Sequence, residues 1–222
     1  MISVQEAATR LRVSPQRVLV MLQQNLLAGQ RVGRAWILDE SSVAARAAAA
    51  TKAGRPLTTR TARALIDALT NPDAPLTARD RNLLVHSDAM MIATKIRQAC
   101  RITRYSSRWM EKVAEHLDLT GDSAVNRIAT DAGSQLLQVE PAIHGYVRDE
   151  NERTMLIRDA RLVEDVAGAV HVYSFKDDVF PWEQTPLALV AVDCALSMRA
   201  RVKSAGLAAL ERMQTSWVSS TS

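Results

Sequence analysis

Two short runs near the N-terminus constrain this chain most: Val13-Ser14-Pro15-Gln16-Arg17-Val18 and Arg31-Val32-Gly33-Arg34-Ala35-Trp36-Ile37-Leu38. In the first, a capping serine precedes a proline, whose missing N–H falls where a helix has no internal partner. The second sets β-prone Arg31-Val32 and Trp36-Ile37-Leu38 around Gly33-Arg34, the composition of a tight hairpin turn. A helix opening at Ser14 must therefore be followed closely by a small hairpin.

The surrounding residues extend this pattern. Ser3 and Glu6 have the spacing of a capping box. Val4, Ala7, Ala8 and Leu11 then fall on one apolar face, predicting a first helix that ends near Arg12. In the second helix Val18, Met21 and Leu22 share an inner face with Leu19 at its margin, while Gln16, Arg17, Val20, Gln23 and Gln24 point away. Trp36 and Ile37 cannot both face inward on a regular strand, so Trp36 is expected to pack partly against the second helix. Asp39-Glu40-Ser41-Ser42 begins a further helix, its acids suited to the positive N-terminal end.

Helix, turn, helix and hairpin in this order predict a helix-turn-helix with a wing over residues 1–50, a DNA-reading arrangement. An inner apolar stripe fixes the angle of such a helix, and outer polar residues reach base edges. Arg17 suits guanine and Gln16 suits adenine. Ser14, Gln23 and Gln24 complete the candidate face, and Arg31 and Arg34 would lie near phosphate or enter the minor groove. The plainer alternative is a helical hairpin with a polar outer face.

Charge supports the nucleic-acid reading without proving it. Nine cations (Arg10, Arg12, Arg17, Arg31, Arg34, Arg46, Lys52, Arg55 and Arg60) precede residue 61, against Glu6, Asp39 and Glu40. The chain's net charge is +4, so this stretch carries +6 and the remainder −2. A basic head on a near-neutral body fits a polyanionic partner, although a solvated basic surface has the same composition.

After alanine-rich 44–50, Thr51-Lys52-Ala53-Gly54-Arg55-Pro56 has linker composition, and residues 51–60 are assigned as a linker. Gly54-Arg55-Pro56 is similar to the core of minor-groove AT-hook segments, which makes Arg55 a further candidate contact. The body, residues 61–222, alternates helices with a few strands. Helices are expected over Thr61–Leu69, from Ala78 to about Cys100 with a weak point near His86-Ser87, and from Ser107. Leu119-Thr120-Gly121-Asp122-Ser123-Ala124 is expected to be an extended entry into a helix that continues to about Ala129. Further helices are expected over Glu150–Arg158, from Pro186 through Leu196, and over Arg199–Met213. Strands are expected at Ile102–Tyr105, Ile143–Val147, Arg161–Glu164 and Val170–Phe175. The fold class is α+β: a winged helix-turn-helix followed by a mainly helical domain with a small sheet.

Residues 2 to about 48, with the Ser-Pro-led helix and Arg-Val-Gly-Arg-x-Trp-x-Leu, resemble the excisionase and MerR-like winged helix-turn-helix families. Ala35 departs from them, where many relatives carry a second basic residue. The body resembles the C-terminal part of AbiEi-type antitoxins and similar actinobacterial proteins. The likeness lies in Arg101-Ile-Thr-Arg-Tyr-Ser, Leu119-Thr-Gly-Asp-Ser-Ala, the strand ending Val170-His-Val-Tyr, and Pro186-Leu-Ala-Leu-Val-Ala-Val-Asp-Cys-Ala-Leu, with Arg199-Ala-Arg-Val-Lys-Ser-Ala-Gly completing it. The Asp-x-Arg element usual before the last helix of that family is here Ser197-Met198-Arg199-Ala200-Arg201, without the acid. The resemblance implies an antitoxin that represses its own operon and counteracts a nucleotidyltransferase-type toxin. Its partners would be double-stranded operator DNA, a cognate toxin, and further copies of itself as a homodimer or multimer on DNA.

Enzyme chemistry finds little support. There is no phosphate loop, nucleophile elbow or HExxH, and His86, His116, His144 and His171 are scattered. His171 and Tyr173 read as a surface ladder on a strand, Asp177-Asp178 as a solvated loop, and Asp193 as a helix-end salt bridge or partner contact. Cys100 and Cys194 read as ordinary buried residues. No cofactor or metal is expected. No apolar run approaches the roughly 20 residues of a membrane span, and the N-terminus lacks the regions of a signal peptide, so a cytoplasmic protein is expected. An alternative function is a helix-turn-helix regulator whose C-terminal domain senses a small molecule or binds another protein.

Overall fold

The computed structural model describes residues 1–23, 26–33, 35–50, 56–128 and 142–221. The chain divides into two compact units, Met1–Arg55 and Pro56–Ser222.

In the smaller unit, strand β1 (Ile2–Ser3) leads into helices α1 (Val4–Leu11) and α2 (Pro15–Gln23). A hairpin of β2 (Gly29–Val32) and β3 (Ala35–Leu38) follows, then α3 (Glu40–Ala50). Helix α1 starts where the Ser3 hydroxyl accepts the Glu6 N–H at 3.2 Å, and it stops at Arg12, whose φ of 54° is left-handed. Glu6 does not complete the expected box within this geometry. Its carboxylate turns to Arg10 at 2.8 Å. The predicted apolar stripe is the core: Ala7, Ala8, Val18, Met21 and Leu22 are buried with Leu38 and Val43, and Trp36 packs partly against them. Strand β1 was not legible in sequence. It pairs antiparallel with β3, placing Ile2 opposite Leu38 and making a three-stranded sheet in the order β1-β3-β2.

The larger unit begins with α4 (Thr59–Thr70), capped by the Thr58 hydroxyl, which accepts the Thr61 N–H. Thr59 and Arg60 are thus helical rather than linker, because Thr58 supplies the cap earlier than expected. The long helix expected over 78–100 is two helices, α5 (Ala78–His86) and α6 (Ala89–Arg97), with Asp88 capping the second. The chain then turns into strand β4 (Cys100–Ser106), three residues after α6 ends. Next come α7 (Met110–Glu115), β5 (Asp118–Leu119) and a 3-10 helix (Gly121–Arg127), which starts within the stretch expected to be an extended entry and is wound more tightly than an α-helix. Strand β6 (Ile143–Tyr146), α8 (Glu150–Asp159), β7 (Val163–Glu164), β8 (Val170–Phe175), α9 (Leu187–Ala195) and α10 (Ala200–Thr221) complete the unit. Among the described residues no helix is long and apolar enough to cross a membrane.

The five-stranded sheet runs β5-β6-β8-β4-β7, with β6 and β8 parallel and the other pairs antiparallel. The fold class is therefore α+β. Helix α9 is apolar except at Asp193, as suits a helix buried from Ala188 to Ala195, and it packs among α4, α6, α10 and the 3-10 helix. Helix α10 comes so close to it at Gly206 that a Cβ there would stand 2.2 Å from the Ala195 nitrogen.

Candidate nucleic-acid interface

The smaller unit sorts its charges. Arg10 donates to Glu6 at 2.8 Å and to Glu40 at 2.6 Å, tying α1 to the start of α3. Asp39 accepts from the Ser41 N–H and hydroxyl at 2.8 and 2.9 Å, and these bonds hold its carboxyl below the usual range. All three acids are thus engaged near the N-terminal end of α3. Among the described residues, no acid pairs with Arg12, Arg17, Arg31 or Arg46.

The predicted contacts fall as follows. The Ser14 hydroxyl accepts the Arg17 N–H at 3.2 Å, so it caps α2, and Gln16 and Arg17 occupy the exposed first turn. Val18 behind them is fully buried, which fixes the face of α2 that remains outside. Gln23 is half-buried at the far end of α2. Arg31 is exposed on β2 opposite Trp36. Gln24, Arg34 and Arg55 lie outside the described residues. The base of the hairpin rests directly on α2: a Cβ at Gly29 would come within 2.9 Å of the Leu22 side chain.

One residue was missed. Arg46 on α3 is half-buried, and its pKa is lowered by burial first and by the charge of Arg17 second. Two like charges from α2 and α3 therefore stand near each other without a counter-ion among the described residues. The available signal was a single arginine in an otherwise alanine-rich helix.

The larger unit holds a second cluster, wholly internal. Arg97 of α6 pairs with Asp193 of α9, and Asp193 also accepts from the Thr120 hydroxyl at 2.6 Å and the Tyr146 hydroxyl at 3.5 Å. Asp193 is 4% exposed, so it is neither a helix-end pair with Arg199 or Arg201 nor a partner contact. Burial is the largest influence on the Arg97 pKa and lowers it, but Asp193 foremost, with Tyr173, Tyr146 and Cys100, together raise it by more, and the guanidinium stays charged. That guanidinium lies 4.5 Å over the Tyr173 ring, and the Tyr173 hydroxyl meets His144 Nδ1 at 3.0 Å.

His171 and Tyr173 are not a surface ladder. Strand β8 is central, His171 faces the His144 ring at 4.2 Å, and Tyr173 is 2% exposed. Burial, then neighbouring positive charge, lowers the His144 pKa to about 3. Burial, then His144 itself, lowers that of His171 to about 2. Both rings are neutral at physiological pH. Cys100 and Cys194 are buried free thiols as expected, and burial pushes Cys100 up to about 12. Asp177 is not simply solvated: Arg63 and Thr59 bind it at 2.6–2.8 Å and hold its carboxyl well below the usual range. No group of three or more His, Cys, Asp or Glu residues able to hold a metal occurs among the described residues.

Compared with known proteins, the chain matches no protein-family model, no curated protein and no solved structure.

Proposed function

We propose that residues 1–50 form a winged helix-turn-helix that binds double-stranded operator DNA and that the protein is a transcriptional regulator. The observation that carries this reading is the segregation of charge in the smaller unit. Its three acids are engaged with Arg10 and Ser41, while exposed Gln16 and Arg17 open α2 and Arg12, Arg31 and Arg46 have no acid partner among the described residues. Phosphates supply the missing counter-charge, and the first turn of α2 presents side chains of the length and polarity that read base edges. Because one small module buries limited surface, two copies on a repeated or inverted site are expected.

Within this reading the larger unit acts on a partner protein, and the protein serves as an antitoxin that represses its own operon and counteracts a nucleotidyltransferase-type toxin. That part is supported by the likeness of most of residues 60–214 to AbiEi-type antitoxins. The deciding experiment is a gel shift on the DNA upstream of the protein's own gene, comparing wild type with Arg17→Ala. Specific retention by wild type that is weakened in the variant supports the reading, and binding no stronger than to unrelated DNA overturns it. Rescue of growth on co-expression with a toxin encoded alongside tests the antitoxin role separately.

A further inference from the structure

Trp109 is an exposed aromatic on a rigid support. It is 48% exposed immediately before α7, while Val113 one turn on is fully buried. The Trp109 N–H donates to the Ser107 hydroxyl at 2.9 Å, and that hydroxyl donates to the Ala160 carbonyl at 2.6 Å, which fixes the start of α7 against the end of α8. Two cations stand over the indole ring, Lys112 Nζ at 5.3 Å and the Arg161 guanidinium at 5.9 Å from its centroid. Arg161 is placed there by a left-handed backbone, φ 46°, and two residues later Val163 is 66% exposed on the edge strand β7. Exposed Arg108 precedes Trp109 in the chain.

Large aromatic and arginine side chains with little freedom left to lose dominate protein-binding energetics. Here the ring and its cations hold one another in place before any partner arrives. The charge selects among occupants. A nucleic-acid base stacking on the indole competes with Lys112 and Arg161 for the ring. A second copy related by a two-fold axis sets these cations against their own counterparts. Carboxylates can pair with both cations and leave the ring stacking intact.

We propose that Trp109, Lys112, Arg161 and Val163 form a docking surface for an acidic segment of another protein. Its carboxylates meet Lys112 and Arg161, and its apolar side chains cover Trp109 and Val163. The proposal rests on the partner-binding half of the function given above and not on DNA binding.

The test uses the full chain and a short fluorescent peptide that alternates glutamate with leucine, beside a counterpart with lysine in place of glutamate. The acidic peptide is expected to bind and the basic one to fail, with affinity falling as salt is raised. Trp109→Ala and Arg161→Glu should each weaken binding about tenfold or more. Lys112→Gln should weaken it less, and Arg17→Ala should leave it unchanged. Circular dichroism confirms that the variants are folded, as expected for exposed positions.

No binding, equal binding of both peptides, or binding indifferent to Trp109 and Arg161 overturns the proposal. Quenching of Trp109 by single-stranded oligothymidylate in place of the peptide reassigns the surface to nucleic acid. Self-association abolished by Trp109→Ala reassigns it to a second copy. A chain that binds the peptide through Trp109 but rescues no toxin-bearing cell fails the antitoxin reading alone.

Discussion

Arg97 and Asp193 pair across α6 and α9 with 2% and 1% of their side chains exposed, so a complete ion pair lies inside the larger unit. The two partners are not equivalent when the other is removed. A buried carboxyl can take up a proton and become neutral, whereas a guanidinium cannot lose one at any accessible pH. Arg97 Nε and Nη1 already have no hydrogen-bond acceptor among the described residues, which leaves its charge dependent on Asp193 and the Tyr173 ring. Asp193→Asn is therefore expected to cost about 3–5 kcal/mol, the range for an uncompensated buried charge. Arg97→Met should cost less, and the double variant less than the sum of the two. Urea denaturation of the three variants measures this, and equal losses from the single variants refute the asymmetry.

The two neutral histidines make stability depend on pH. Their folded pKa values, about 3 for His144 and about 2 for His171, lie below the ordinary 6.5. The unfolded chain then binds more protons than the folded one over this interval, so stability is complete above about pH 6.5 and falls as the pH drops toward those values. The slope is about 1.4 kcal/mol per pH unit for each histidine while its unfolded form is protonated and its folded form is not. Asp177, whose carboxyl is held low by Arg63, adds a further loss only below about pH 4. Denaturation midpoints measured between pH 7 and 4.5 should fall steadily in wild type. His171→Phe should flatten the slope, and an unchanged slope removes this histidine from the account.

In the smaller unit Arg17 and Arg46 are near neighbours with separable roles. Arg17 sits on the exposed first turn of α2, so Arg17→Ala is expected to cost about 1–3 kcal/mol of operator binding and to relax base preference. Arg46 is half-buried behind it on α3, without an acid partner among the described residues. Arg46→Ala should weaken binding to all sequences alike and reduce the salt slope by about one, as should Arg31→Ala. Fluorescence anisotropy at several salt concentrations, on operator and unrelated duplexes, distinguishes the two patterns. An unchanged salt slope places Arg31 or Arg46 away from phosphate.

The sequence resolved what repeats at short range. Ala62, Leu65, Ile66 and Leu69 recur at helical spacing within the helix expected over Thr61–Leu69, and all four are buried. The Ser14 cap and the break at His86-Ser87 are visible in sequence because capping and its loss are local events. Strands β1 and β5 have two residues each, too few for an alternation to register. The Arg97–Asp193 pair joins positions 96 residues apart, and neither flanking pattern marks the other. His171 was misread for a related reason: alternation shows which residues share a face, but not whether another layer covers that face. The same gap hid Arg46 and Trp109, whose significance lies in the company they keep across elements.

The contact between α9 and α10 gives a prediction of the opposite kind, in which one added methyl group is the perturbation. Gly206 lies within the 22-residue helix α10, where glycine is ordinarily a weak point and alanine stabilises by roughly 0.5–1 kcal/mol. At this position the added Cβ would stand 2.2 Å from the Ala195 nitrogen, 2.6 Å from the Cys194 carbonyl carbon and 2.7 Å from the Cys194 Cβ. The first two are backbone atoms at the buried end of α9, so no side-chain rotation can relieve the contact. The two helices must separate, which opens gaps around neighbouring Leu210 and Cys194, both almost wholly buried. Overpacking of this kind costs about 1–3 kcal/mol and should outweigh the gain in helix propensity. Gly206→Ala is therefore expected to lower the thermal midpoint of the larger unit. An exposed substitution on the same helix, Ser204→Ala, provides the control and should leave it unchanged or raise it slightly. A Gly206→Ala protein as stable as wild type would show that α9 and α10 yield at this crossing without loss.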